Sequence, residues 1–189
     1  MKPEAAVIIL LVTILLCGCT PPSLQPLYNE SDTAFDPALI GIWRDAEDDT
    51  AKNYFVSTRG ANGAYNIVQV DGGGPASFTA HLVQLGDARF VDLYPAEPLV
   101  PTGFYGGHLV RVHSIGRVWL NGDRLRIGLL QEDWLYTREA QNAKPNGLHW
   151  TPMGETVLIN DATPQLRTFA MRYADTKAFS VTTDWIREH

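Results

Sequence analysis

The chain has 189 residues and a formal net charge of −6, so it lacks the concentration of Lys and Arg that phosphate binding needs, which argues against a nucleic-acid partner. The same composition offers no polybasic patch for an anionic membrane surface. Both cysteines, Cys17 and Cys19, lie near the N-terminus, so the rest of the chain can form neither a disulfide nor a thiolate metal site.

The N-terminal residues have the pattern of a secretory signal. Lys2 supplies the positive end, and an uncharged apolar run from Ala5 to Leu16 follows that is too short to span a bilayer comfortably. The run ends in Leu16-Cys17-Gly18-Cys19, which resembles a bacterial lipobox. The resemblance implies that Cys19 is lipidated on sulfur and becomes the mature N-terminus. Because Thr20 and not Asp follows, it also implies an outer-membrane lipoprotein that faces the periplasm.

The segment after the lipobox is rich in proline and polar residues and has little helical or strand periodicity. About seventeen extended residues reach at most roughly 60 Å, so the domain could stand clear of the membrane. Apolar residues such as Leu27 and Phe35 predict that the second half of this segment lies on the domain surface. We therefore predict a signal peptide over residues 1–18, a membrane tether over 19–36 and one domain over 37–189.

A short turn then leads into a strand that carries Gly41-Ile42-Trp43. This Gly-x-Trp pattern resembles the opening of lipocalins and related small barrels. The resemblance implies that Gly41 permits a close backbone approach and that Trp43 closes the base of the barrel. The longer run from Pro26 to Trp43 is similar to the start of a group of uncharacterised bacterial lipoproteins, and that similarity implies no known activity.

After Trp43, short β-rich runs alternate with turn residues at close intervals. The turns Asn62-Gly63, Gly86-Asp87 and Asn121-Gly122, and the run Gly72-Gly73-Gly74-Pro75, supply the positive-φ positions that hairpins need. This pattern predicts a mainly β protein, an antiparallel up-and-down meander closed as a lipocalin-like barrel. The predicted strands are Asn53–Thr58, Ala64–Val70, Ala76–Leu85, Ala88–Tyr94, His108–Leu120 and Arg124–Leu130.

Beyond residue 130 the periodicity changes. We predict two peripheral helices: one over Gln131–Gln141, and a second that begins with Thr163 as its N-cap and Pro164 in its first turn and reaches about Ala174. The apolar face of the second helix is Leu166, Phe169, Ala170 and Tyr173. Two further strands are predicted, Glu155–Asn160 and Phe179–Ile186.

The longest predicted loop is Pro95–Gly107, and long loops at a barrel mouth often carry function. Its aromatic pair, Phe104 and Tyr105, is a candidate for the lining of a ligand entrance. The alternative is that both rings only pack the loop onto the domain.

A hairpin turn at Asn121-Gly122 would place Trp119 opposite Arg124 and Arg117 opposite Arg126. Alternation then gives one apolar face, with Val118, Leu125 and Ile127, and one polar face, with Arg117, Trp119, Arg124 and Arg126. That polar face is a candidate anion patch. The alternative is a solvated outer face with Arg stacked on Trp, where a nearby carboxylate relieves the opposed arginines.

Catalytic and metal-binding patterns are weak. The histidines are scattered without zinc-motif spacing, the acidic loop of residues 45–49 lacks the calcium-loop pattern, and no serine lies in a Gly-x-Ser-x-Gly elbow. We therefore expect no enzyme activity, no cofactor and no metal. We expect instead an envelope lipoprotein attached to the membrane by its N-terminal lipid, whose barrel binds a small apolar or amphipathic ligand. The alternative is a filled barrel with a structural role or a protein partner in the envelope.

Overall fold

The computed structural model describes residues 20–96, 109–137, 147–180 and 183–189. Phe104 and Tyr105, Cys19 and the signal peptide lie outside these residues. The strands within the described ranges are β1 (Thr33–Ala34), β2 (Gly41–Asp45), β3 (Tyr54–Arg59), β4 (Tyr65–Asp71), β5 (Gly74–Leu85), β6 (Ala88–Pro95), β7 (Ser114–Asn121), β8 (Arg124–Leu129), β9 (Trp150–Met153), β10 (Thr156–Ile159) and β11 (Thr183–Glu188). The α-helices there are α1 (Glu132–Leu135) and α2 (Thr163–Tyr173).

Strands β2 to β8 pair in sequence order, each antiparallel to the next, and β11 closes the sheet between β8 and β2. The result is a closed, eight-stranded up-and-down barrel. The predicted mainly β barrel with two peripheral helices is therefore confirmed, and its architecture is consistent with lipocalin-like character. We call the end where β2 begins the base and the opposite end, where β6 ends, the mouth.

The base is closed by a short 3-10 helix, Pro37–Leu39, and by Trp43, which is fully buried. The Trp43 indole N–H donates a hydrogen bond of 3.1 Å to the Leu39 carbonyl. The Arg187 guanidinium lies 4.4 Å from the centre of the Trp43 ring and donates to the Ala38 and Ile40 carbonyls. Gly41 has φ of 139°, which residues with a Cβ rarely adopt, so the backbone conformation favours glycine; a Cβ there would also lie 2.9 Å from the end of the Arg187 side chain.

The β7–β8 hairpin differs from the prediction in its register. Its two turn residues are Gly122 and Asp123, so Asn121 pairs with Arg124 and Trp119 pairs with Arg126. Arg117 therefore faces Gly128, and the predicted opposition of two arginines is wrong. Gly122 is the first of the two turn residues and has φ of 59°, the positive value that the primed β-turns of two-residue hairpins require.

The chain between β8 and β11 packs on the outside of the barrel. The four residues predicted to form the apolar face of α2 are all buried. Together with residues on the outer faces of β5, β6 and β7 they form a second hydrophobic core. In this core Phe90 of β6 contacts Phe179 edge to face, with ring centres 5.3 Å apart. The barrel thus has an inner core and a separate outer core.

Several predicted elements are shorter or displaced. β7 begins at Ser114, α1 is one turn long in the described part of the chain, and the last strand begins at Thr183. β10 matches the predicted strand but pairs with β9, which was not predicted. Thr163 is the first residue of α2 and not its N-cap, which is Ala162.

The largest correction concerns residues 20–36, which were predicted as a membrane tether with only the second half on the domain surface. The backbone of Ser23 pairs with that of His113 through hydrogen bonds of 2.9 and 2.8 Å, and the Leu27 amide donates to the Asp92 carboxylate at 2.6 Å. Ser23 and Leu27 are both fully buried. We call residues 20–36 the strap, because this segment crosses the outside of the barrel from the mouth end to the base.

Two further contacts hold the strap. The Tyr28 ring stacks on His81 with 3.8 Å between centres, and β1 pairs with the end of β5 nearest the base. An extended tether would leave the apolar and backbone groups of the strap in water, whereas packing buries them. No helix in the described ranges is long and apolar enough to span a bilayer.

Candidate functional site

The barrel interior contains a cavity of about 170 Å³, which we call the barrel cavity. Alternation along the strands produces it, because every second side chain of a barrel strand faces inward. The lining residues are Leu39, Phe55, Ser57, Tyr65, Ile67, Gln69, Ala80, Leu82, Val91, Leu93, Val118, Leu125, Ile127, Leu129, Thr183 and Trp185. Those residues, as far as the structure describes the lining, are all uncharged.

Burial changes along the barrel cavity. Near the base its walls are almost completely buried, with Leu82 2% and Leu125 3% exposed. At the mouth end, Gln69, Leu93 and Thr183 are only partly buried. Within the described part of the chain, the cavity is therefore sealed at the base and more accessible at the mouth.

Four polar side chains line the barrel cavity, and two of them have partners. The Tyr65 hydroxyl accepts a hydrogen bond from the Asp36 amide at 2.7 Å and donates to the Asp36 carbonyl at 3.1 Å. Burial raises the pKa of Tyr65, so the phenol stays neutral. The Thr183 hydroxyl accepts from the Trp185 indole N–H at 2.8 Å.

The other two polar side chains, Ser57 and Gln69, form no side-chain hydrogen bond within the described ranges. Ser57 is 2% exposed and Gln69 is half-buried. Sequence reasoning missed both residues, although alternation in Tyr54–Arg59 does put Ser57 on the same face as Phe55. What the sequence alone could not supply was which face is the inside of the barrel.

β6 ends at Pro95 and β7 begins at Ser114, both at the mouth end. Phe104 and Tyr105 lie outside the described residues, so their role at an entrance stays a prediction. Gly41 and Trp43 lie on β2, which begins at the base, and their cross-strand partners Ser57 and Phe55 line the barrel cavity.

The predicted anion patch lies on the outer face of β7 and β8, beside a cleft of about 280 Å³. Arg124 forms a bidentate pair with Asp184, with its two shorter N–O distances at 2.6 and 2.8 Å. The Arg124 hydrogen bonds lower the pKa of the Asp184 carboxyl, so this carboxylate neutralises Arg124. Arg126 lies 5.8 Å from the Trp119 ring centre.

Arg117 lies apart from that cleft. It is 8% exposed, donates to the Arg89 carbonyl at 3.0 Å and lies 3.5 Å from an Asp175 carboxylate oxygen. Its guanidinium lies 5.2 Å from the Trp119 ring centre and 5.5 Å from that of Phe90. The geometry thus matches the alternative of a carboxylate-compensated face with Arg stacked on Trp, and it requires no bound anion.

A polar cluster on the outer face of β5 and β6 was not foreseen. Asp92 is fully buried and binds the His113 imidazole Nδ1 at 2.6 Å as well as the Leu27 amide. His81 lies across from Asp92 on β5, and burial lowers its pKa. The cluster attaches the strap to the barrel and does not face the barrel cavity.

The described residues contain no group of three or more His, Cys, Asp or Glu side chains that could hold a metal ion. Comparison with known proteins gives no assignment: no family model, curated protein or solved structure matches the chain.

Proposed function

We propose that the chain is a bacterial envelope lipoprotein, attached to the membrane through Cys19, whose barrel binds a small apolar or amphipathic ligand. The observation that carries the binding proposal is the barrel cavity of about 170 Å³ with its uncharged, mainly aliphatic and aromatic walls. An apolar ligand binds favourably in such a cavity, because its surface leaves water and makes van der Waals contacts with the walls. The alternative, a structural or interaction lipoprotein with a filled barrel, gains no support from such an interior.

The lipid anchor is supported by the sequence Leu16-Cys17-Gly18-Cys19 and by the apolar run before it. Intact mass of the protein expressed in a bacterium tests it, and the expected mature chain begins at a lipid-modified Cys19. Membrane fractionation tests the proposed outer-membrane location, facing the periplasm. An unmodified N-terminus at another residue would contradict the anchor.

Calorimetric titration of the purified protein with toluene tests ligand binding, together with native mass spectrometry for a molecule retained from the cell. We expect a dissociation constant of about 100 μM or lower, which corresponds to roughly −5.5 kcal/mol. If neither toluene nor its neutral polar analogue 4-methylphenol gives a heat of binding at concentrations up to about 1 mM, the carriage proposal fails and the interaction role is favoured.

A filled-cavity variant makes the test specific. Ala80 lines the barrel cavity and is 2% exposed, so Ala80→Phe should occupy the space and abolish toluene binding. The matched control is Ala61→Phe, which adds the same ring at an exposed turn near the base and should bind as the wild type does. Circular dichroism checks that both variants fold, because overpacking costs about 1–3 kcal/mol.

A further inference from the structure

Ser57 presents its hydroxyl to a mainly apolar cavity. Its side chain faces the barrel cavity at 2% exposure, and it forms no side-chain hydrogen bond in the part of the chain that the structure describes. The hydroxyl opens onto the barrel cavity, so its hydrogen-bonding partner has to come from a molecule inside that cavity, and polar groups in protein interiors are rarely left without one. A ligand that supplies the missing partner would therefore bind better than one that does not.

Gln69 extends this polar site toward the mouth. Ser57 pairs with Ile67, and Gln69 lies one inward position further along β4, about 7 Å away along the strand. Its carboxamide offers two N–H donors and one acceptor, while the Ser57 hydroxyl can donate and accept. One small polar group on a ligand could thus exchange hydrogen bonds with either side chain or with both.

The walls also restrict the charge of the ligand. All residues that line the barrel cavity, among those described, are uncharged. A carboxylate, phosphate or ammonium group inside would lose its hydration without meeting an opposite charge, which is strongly unfavourable. The polar group of the ligand should therefore be neutral, such as a hydroxyl or an amide.

The size of the cavity restricts the ligand further. A cavity of about 150 Å³ with Leu, Ile and Phe walls holds a benzene molecule. The barrel cavity, at about 170 Å³, has room for a ring with a short substituent or for a short alkyl chain.

Building on the carriage function proposed above, we propose that the ligand is a compact, uncharged amphipathic molecule whose single hydrogen-bonding group binds Ser57 and Gln69. The apolar part then fills the rest of the barrel cavity, against its aliphatic and aromatic walls. This assigns the two side chains a role in specificity, because they select between ligands of equal shape and different polarity.

Three ligands of one shape test the proposal: toluene, 4-methylphenol and 4-methylbenzoate, each titrated by calorimetry at pH 7.5 into the wild-type protein. In a purely apolar cavity, 4-methylphenol would bind more weakly than toluene, because its hydroxyl would lose hydration without compensation. With Ser57 and Gln69 as partners we expect 4-methylphenol to bind about tenfold more tightly than toluene. We expect no measurable binding of 4-methylbenzoate.

Ser57→Ala and Gln69→Leu remove the proposed partners. The double variant should lose the preference for 4-methylphenol and should bind toluene at least as tightly as the wild type does. Ser77→Ala, an exposed serine on β5, is the matched control and should keep the preference. Thermal melts of each variant confirm that the barrel remains folded.

The possible results separate the two proposals. If toluene binds and 4-methylphenol binds no better, or if the double variant keeps the preference, the polar site is not a specificity site while ligand carriage stands. Tight binding of 4-methylbenzoate would overturn the restriction to uncharged ligands. If neither toluene nor 4-methylphenol binds, carriage itself fails and this inference fails with it.

Discussion

At the residue scale, Trp43 and Arg187 determine how the base of the barrel is closed. The indole is fully buried, its N–H is satisfied by the Leu39 carbonyl, and the guanidinium covers the ring while donating to two backbone carbonyls. Asp123, in the turn between β7 and β8, forms an ion pair with Arg187 at an N–O distance of 3.1 Å. One aromatic ring therefore joins the first barrel strand, the last barrel strand and the short helix below them.

From this packing we predict that Trp43→Ala lowers the free energy of unfolding by about 3–5 kcal/mol, the range expected when a fully buried aromatic side chain is removed. Urea melts of the wild type and the variant measure the loss. Trp119→Ala is the matched control, since Trp119 is only partly buried on the outer face, and its loss should be clearly smaller. Equal losses for the two variants, or a loss below about 1 kcal/mol at Trp43, would contradict this account of the base.

At the scale of elements, the strap connects parts of the chain that are distant in sequence. Its backbone meets His113 beside β7 and Ile159 of β10, while Thr163 of α2 donates to the Pro26 carbonyl at 2.7 Å. The strap therefore contacts both the barrel and the chain between β8 and β11 that packs on its outside. Asp92 contributes a fully buried polar contact, since each of its carboxylate oxygens meets one donor or imidazole nitrogen at 2.6 Å.

We predict that Asp92→Ala destabilises the protein by about 2–4 kcal/mol, because it leaves the Leu27 amide and the His113 ring without their partner in a buried site. Hydrogen exchange followed by mass spectrometry should also find faster exchange in peptides that cover Leu27. Asp87→Ala, at an exposed turn of the same sheet, provides the control with little change expected in either measurement. Unchanged exchange at Leu27 in the Asp92 variant would mean that other contacts suffice to hold the strap.

At the scale of the whole molecule, the strap determines where the proposed lipid anchor would lie. Ser23 pairs with His113, just before β7 begins at the mouth end, and the strap then runs toward the base. Cys19 precedes Ser23 by four residues, which can extend at most about 14 Å. A lipid on Cys19 would therefore hold the mouth end of the barrel near the bilayer, and a ligand could pass between membrane and cavity without a long path through water.

The expected orientation can be measured with a bimane probe on the lipidated protein in vesicles that contain brominated phospholipid. Gly72→Cys labels the turn between β4 and β5 at the mouth end, where a Cβ meets no atom within 4 Å, and Asp87→Cys labels a turn at the base. Quenching should be stronger at position 72 than at position 87. Intact mass of the same sample confirms lipidation, so equal quenching with a lipidated Cys19 would refute the orientation and leave the anchor in place.

Local patterns were enough to predict most of the barrel. The alternation of apolar residues and the positive-φ turns predicted the meander, and the faces of the β7–β8 hairpin were predicted correctly although its turn was misplaced by one residue. The reason is geometric. Moving a two-residue turn by one position shifts each cross-strand pair by two residues, and a period of two returns every side chain to the same face.

Local patterns therefore predicted most of the barrel strands, the apolar face of α2 and the signal for lipidation, because each of these depends on residues near one another in the chain. Only the tertiary structure decided that the strap packs on the barrel, that an outer core forms, and that Ser57 faces an internal cavity. The contact of Leu27 with Asp92 joins residues 65 positions apart. The periodicity of the sequence cannot predict such a contact, because its energy comes from burial and hydrogen bonds that exist only once the barrel has closed.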